Sequence, residues 1–184
     1  MSKYKVCIKM ILLIAGMHGV GKSYLAGPAA EALGIRHETA SALIASVRGS
    51  RSWSDEKRVR EVDDNQAALV RAVELVRNSG VDLLLDGHFV LRGQAGQCLA
   101  VESTVFRQLQ LSGVILLEAA AEKIQSRLVA RGDRSWTVEE IRQFSQKEAE
   151  QAVTITAELA IHLVRLHEPT SGEFTEALRD LLRR

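Results

Sequence analysis

Cysteine is nearly missing from this chain. It occurs only at Cys7 and Cys98, with no ligand or redox spacing around either, which excludes a disulfide framework, a cysteine-built zinc site and dithiol chemistry. Both thiols are expected to be buried and reduced. No apolar run approaches a membrane span. The N-terminal Met-Ser-Lys-Tyr-Lys-Val-Cys-Ile-Lys-Met lacks the uninterrupted hydrophobic stretch and small-residue cleavage site of a secretory signal. The expectation is a cytoplasmic protein with no membrane partner. An excess of charge of one sign is also absent, since 24 Lys and Arg face 23 Asp and Glu for a net charge of +1. That argues against a broad nucleic-acid surface while leaving a local groove open, so basic residues must act by position. Internal repeats and low-complexity segments are lacking too. A 46% hydrophobic, 26% charged chain of 184 residues is the size and composition of one α/β domain, spanning 1–184, with a full core.

The chain is organised around its beginning. Met10-Ile11-Leu12-Leu13-Ile14-Ala15 is an apolar run that leads into Gly16-Met17-His18-Gly19-Val20-Gly21-Lys22-Ser23. Tyr24 to Leu33 continues with helix formers and an apolar stripe at Leu25, Ala29, Ala32 and Leu33, so the order is strand, loop, helix. Glycines at 16, 19 and 21 let the backbone turn with positive φ and aim successive N–H groups at a phosphate, and the helix N-terminus adds partial positive charge. Lys22 would reach the β- and γ-phosphates of ATP, and the Ser23 hydroxyl would take one position on Mg²⁺. The candidate nucleotide contacts are therefore Gly16, His18, Gly19, Val20, Gly21, Lys22, Ser23 and Tyr24.

Downstream, strands alternate with helices. Gly34 stops the first helix, Ile35 to Glu38 reads as a short strand, and Ala42 to Val47 as a short helix. Arg48 to Ser54 is a polar loop before a long helix from Asp55 to about Asn78, with apolar positions Val59, Val62, Ala67, Leu69, Val70, Val73 and Val76. Val81 to Asp86 is a nearly continuous apolar run ending in an acid, the pattern of a parallel strand buried on both faces. Phe89-Val90-Leu91 and Cys98 to Val101 flank Arg92 to Gln97 as an inserted hairpin. A helix at 102–110, a strand at 114–118, a helix at 119–131 and a helix opening at Thr137, with Glu140 in capping-box position, follow. A strand at 161–166 and a helix at 174–182 close the chain. This predicts a three-layer α/β fold with a mostly five-stranded parallel sheet, a short lid at about 131–137 and an acceptor-binding insert at about 39–79.

Two further constellations carry chemistry. Asp86, at the tip of a buried strand, is placed to hold Mg²⁺ directly or through water, the alternative being a turn or capping acid. His88 could bond a phosphate, orient a water or pack. Arg127 and Arg131 stand four apart on one helix face, with Gly132 and Arg134 just beyond. Their planar, permanent charge suits a phosphoryl group in flight, the alternative being a solvated helix end. Arg142 is a weaker candidate for that cluster. Trp53 and Trp136 fall in the two loops as packing anchors or stacking surfaces.

With these residues in hand, the chain resembles the short-lid branch of the adenylate-kinase-like nucleoside monophosphate kinases, the group of archaeal-type adenylate kinase and the human nuclear isoenzyme. GMHGVGKS resembles its GxPGVGKT loop, LLLDGHFV its D-x-H strand, IQSRLVARGDR its R-x-x-x-R lid element, and DEKRVREVDDNQ its acidic helix. The resemblance implies ATP·Mg²⁺ as donor, an acceptor between the second strand and the long helix, and a lid that excludes water. On it Lys22, Asp86, His88, Arg127 and Arg131 become catalytic candidates, Arg127 also a nucleotide contact, and Ser23 with Asp86 the metal holders. The chain departs from the family where a G-D-x-x-R arginine would grip the acceptor phosphate. Ala40-Ser41-Ala42-Leu43-Ile44-Ala45 stands there, leaving Arg48, Arg51 or Arg58 as substitutes. The hairpin is atypical as well, and could serve a protein partner or another acceptor pocket. The expectation is transfer of the γ-phosphoryl of ATP to a small acceptor, a nucleoside monophosphate. A nucleotide-dependent switch or ATPase acting on protein or RNA, a polynucleotide or small-metabolite kinase, and a structural module with a vestigial loop are the alternatives.

Overall fold

The structure, a computed structural model, describes residues 9–48, 58–93 and 96–184, with the side chains of 58–63 outside that description. Apolar strands dictate its centre. β1 (Ile11–Ala15) and β3 (Leu83–Asp86) are buried at every position, as continuous hydrophobic runs covered on both faces must be. With β2 (Arg36–Thr39), β6 (Gly113–Glu118) and β7 (His162–His167) they form a five-stranded sheet in the order β2-β3-β1-β6-β7. Every pairing in it is parallel.

Alternation along the strands sorts the core into two layers. Leu12, Ile14 and Ile115 face α1 (Lys22–Leu33), α5 (Ala121–Ala130) and α7 (Ser171–Leu182). Ile11, Leu13, Ala15 and Val114 face α3 (Arg58–Asn78), α4 (Ser103–Leu109) and the later turns of α6 (Val138–Glu158). α2 (Ala40–Arg48) packs beside α3, and β4 (Val90–Arg92) pairs antiparallel with β5 (Cys98–Ala100) as the expected hairpin. α6 and α7 both open on complete capping boxes, Thr137 with Glu140 and Thr170 with Glu173. The second places the start of α7 at Ser171, three residues before the expected 174.

Several expectations shift. On α1 the core takes Leu25, Ala26, Ala29 and Ala30 while Ala32 is exposed, because the helix meets the sheet about one position round from the expected stripe. On α3 the expected Val73 and Val76 are buried and Leu69 and Val70 pack against the core, while Ala68 and Ala72 join them and Ala67 is exposed. Cys98 is a free thiol but half-buried, since its short strand lies outside the main sheet. Cys7, Arg51, Trp53 and the helix start at Asp55 lie outside the described residues.

Register places the site. Ile14 pairs with Asp86, Thr39 pairs with Asp86 from the other side, and the Gly87 amide donates to the Ile14 carbonyl at 3.0 Å. The acid at the tip of β3 therefore sits beside the loop that leaves β1, at the carboxyl edge where parallel sheets hold ligands.

Candidate active site

The loop between β1 and α1 requires its glycines. Gly16, Gly19 and Gly21 have φ of 136°, 80° and 117°, a region that side chains disfavour. A Cβ on Gly16 would overlap the Leu117 carbonyl oxygen, and one on Gly19 would meet Leu128 Cγ at 3.0 Å. Gly21 is the N-cap of α1 and offers no side chain to it, so the first helical amides keep their capacity for an anion. Val20 is buried behind the loop, His18 faces out of it, and Tyr24 stands on the cavity rim, largely exposed.

Lys22 begins α1 yet is only 7% exposed. Its Nζ donates to the Gly16 carbonyl at 2.6 Å and the Met17 carbonyl at 3.5 Å, with Asp86 Oδ1 3.8 Å away. Burial lowers the Lys22 pKa, and the charges of Asp86 and Glu148 oppose that shift. Ser23 Oγ donates to Asp86 Oδ2 at 3.3 Å. A hydroxyl and a carboxylate side by side, at the mouth of a cavity and next to anion-seeking amides, are the hard oxygen ligands a phosphate-bound Mg²⁺ takes from protein, so the residues fit that ion.

Glu148, on α6, is the residue that sequence reasoning missed. It is 1% exposed, and its carboxylate accepts from the amides of Gly16 at 3.2 Å, Phe89 at 3.0 and 3.1 Å, and Val90 at 2.7 Å. A signal existed: Ile141, Phe144, Glu148, Ala152 and Ile155 form one buried helical stripe, and a carboxylate in such a stripe must have partners. His88 lies between Glu148 and Lys22, with Nδ1 3.5 Å from Glu148 Oε1 and Nε2 3.5 Å from Lys22 Nζ. The His18 ring rests 4.2 Å from that of His88. Although His18 keeps an open face, loss of water around the rest of the ring, followed by the neighbouring His88 and the Lys22 ammonium, lowers its pKa to about 4.

Arg127 reaches back from α5 to the loop, where Nη1 donates to the Val20 carbonyl at 2.7 Å and the Gly19 carbonyl at 3.4 Å. Arg131 lines the same cavity as Lys22, Ser23 and Asp86. Arg142 does not join them and pairs on the surface with Glu122 and Glu139. The 131–137 loop is held from the hairpin, since Arg92 donates to Ser135 Oγ at 3.0 Å and its carbonyl at 2.9 Å. Arg92 also lies 3.8 Å over the Trp136 ring, and Trp136 packs edge-on against Phe144. Trp136 is thus a buried packing anchor.

The cavity measures about 510 Å³. Its far wall is apolar, from Leu13, Ile44, Leu69, Leu85, Phe106 and Leu109, with Thr39, Ser41, Asn65 and Gln66 as polar groups. Arg48, one candidate for the acceptor phosphate, is engaged by Asp64 and Asn65.

Fold and site together define a P-loop kinase architecture. Solved structures share it: shikimate kinase from Bacteroides thetaiotaomicron (TM-score 0.59, 14% identity, 95% of this chain and 99% of that one) and shikimate kinase from Acinetobacter baumannii in complex with shikimate (0.58, 17%, 95% and 93%). A sugar kinase from a Janibacter species is similar as well (0.54, 19%, 95% of each). A search among curated proteins finds no match. A family model described as an AAA domain matches residues 15–144, and the chain belongs to that family. None of the three structures is an adenylate kinase, so the likeness drawn from motifs holds at the level of the P-loop kinase fold.

Proposed function

We propose that the protein is a phosphotransferase that moves the γ-phosphoryl of ATP to a small acceptor bound in the 510 Å³ cavity. The observation that carries this reading is convergence: Lys22 and Ser23 from the start of α1, Asp86 from the tip of β3 and Arg131 from the end of α5 line one cavity, and Arg127 braces the loop at its mouth. The loop amides would hold the phosphates while Lys22 turns from the Gly16 carbonyl to pair with them. Ser23 and Asp86 would hold Mg²⁺, which when bound neutralises charge on the β- and γ-oxygens. Arg127 and Arg131 would stabilise charge as the bond to the leaving group lengthens, and the 131–137 lid would exclude water.

The motif resemblance nominates a nucleoside monophosphate as acceptor. A second reading rests on the lining: among the described cavity residues the permanent cations are Lys22 and Arg131, both needed at the donor end. Apolar walls with hydroxyl and amide groups favour a hydroxyl-bearing small molecule, the class to which sugars and shikimate belong. Coupled ADP release with ATP·Mg²⁺ and a panel of nucleoside monophosphates, sugars and small alcohols discriminates the two. Release that no acceptor stimulates would instead support an ATPase or switch. Lys22→Ala is expected to lower transfer about a hundredfold or more with an unchanged circular dichroism spectrum, and undiminished turnover in that variant would remove the assignment.

A further inference from the structure

We infer that Glu148 is the positioning residue of the donor site and that it fixes His88 as the tautomer with its proton on Nδ1 and a bare Nε2. The carboxylate is buried against donors alone: both oxygens accept from the backbone amides of Gly16, Phe89 and Val90. Only a group that accepts at both oxygens satisfies such a set, because a Gln amide would turn its own NH₂ against one of those N–H groups whichever way it faced.

His88 stands in the field of this charge. Its Nδ1 is buried without a hydrogen bond and faces Glu148 Oε1 at 3.5 Å, while its Nε2 faces the Lys22 ammonium at 3.5 Å. Negative charge at one nitrogen and positive charge at the other favour a proton on Nδ1 and a lone pair on Nε2. The same carboxylate holds the first amide of the phosphate loop. The loop, the turn after Asp86 and the imidazole are therefore tied to one point on α6. When Lys22 leaves for the phosphates, Nε2 is left facing the cavity as a hydrogen-bond acceptor for the hydroxyl that approaches the phosphorus. That last step rests on the phosphotransfer reading, whereas the tautomer and the loop anchoring do not.

Long-range ¹H–¹⁵N spectra of the full chain, with the His88 signals assigned by their loss in His88→Asn, test this directly. The expected spectrum has Nδ1 protonated and Nε2 unprotonated at neutral pH. Glu148→Gln is expected to move population to the Nε2-protonated form and to weaken ADP binding about tenfold, the effect of one lost buried hydrogen bond to a charged group. His88→Asn keeps a donor on the Glu148 side and is expected to bind ADP within about twofold of wild type while losing turnover. A wild-type ring protonated at Nε2 would overturn the inference, as would a tautomer or ADP affinity unchanged by Glu148→Gln. If Glu148→Gln does not fold, the wild-type spectrum and the His88→Asn titration still decide it. Neither readout needs an acceptor, so failure to find one would sink the phosphotransfer reading and leave this inference standing.

Discussion

A single backbone angle shows how strongly residue chemistry constrains this site. Gly16 combines φ of 136° with a carbonyl oxygen where a Cβ would stand. The conformation alone costs a side chain about 1–3 kcal/mol, and the overlap with Leu117 adds to that. Gly16→Ala is therefore expected to lower the urea midpoint and abolish nucleotide binding, and a variant that unfolds at the wild-type midpoint would contradict this geometry. Gly16, Lys22 and Ser23 were legible from sequence because a phosphate cradle needs those residue types at that spacing. Glu148 was not, because its partners are amides, which every residue carries. Its only trace is a charge in the buried stripe of α6.

At the scale of elements, ends matter more than middles. α6 starts directly after the 131–137 loop, where Thr137 Oγ1 accepts from the Glu140 amide at 3.2 Å and the Thr137 amide donates to Glu140 Oε2 at 2.7 Å. Thr137→Ala is expected to cost about 1 kcal/mol, measurable as a lower thermal midpoint. Thr137→Ser should recover most of the loss. Strand and helix types were readable because apolar runs and helical stripes differ in period. The edge of the face that each helix buries was not, since whether Ala30 or Ala32 on α1, and Ala67 or Ala68 on α3, meets the core depends on how neighbouring elements fill the sheet surface. The hairpin was visible in sequence, but its hold on the 131–137 loop through Arg92 depends on a contact 43 residues distant.

The whole molecule decides the ionisation of His18, whose ring is reached by groups from α1, the turn after β3, α6 and the 131–137 loop. Desolvation, followed by His88 and then Lys22, lowers its pKa to about 4, and Glu148 and Asp133 act in the opposite sense. The unfolded ring titrates near its ordinary 6.5, so between those values the unfolded chain binds the proton that the native state refuses. Stability is then expected to hold above pH 6.5 and to fall as pH drops toward 4. A thermal-midpoint series should show a shallower fall in His18→Gln, and parallel curves for the two proteins would refute a lowered His18 pKa in the native state. The five-stranded parallel sheet followed from alternating strands and helices, but the acceptor end of the cavity was illegible. Its walls are ordinary Leu, Val and Phe residues from several elements, each indistinguishable in sequence from core.

The tie between Gly16 and Glu148 spans 132 residues. During synthesis the phosphate-binding loop leaves the ribosome early, but the carboxylate that completes it comes late. A nascent chain thus cannot finish its nucleotide pocket, however well its first strand and helix have formed, until α6 has cleared the exit tunnel.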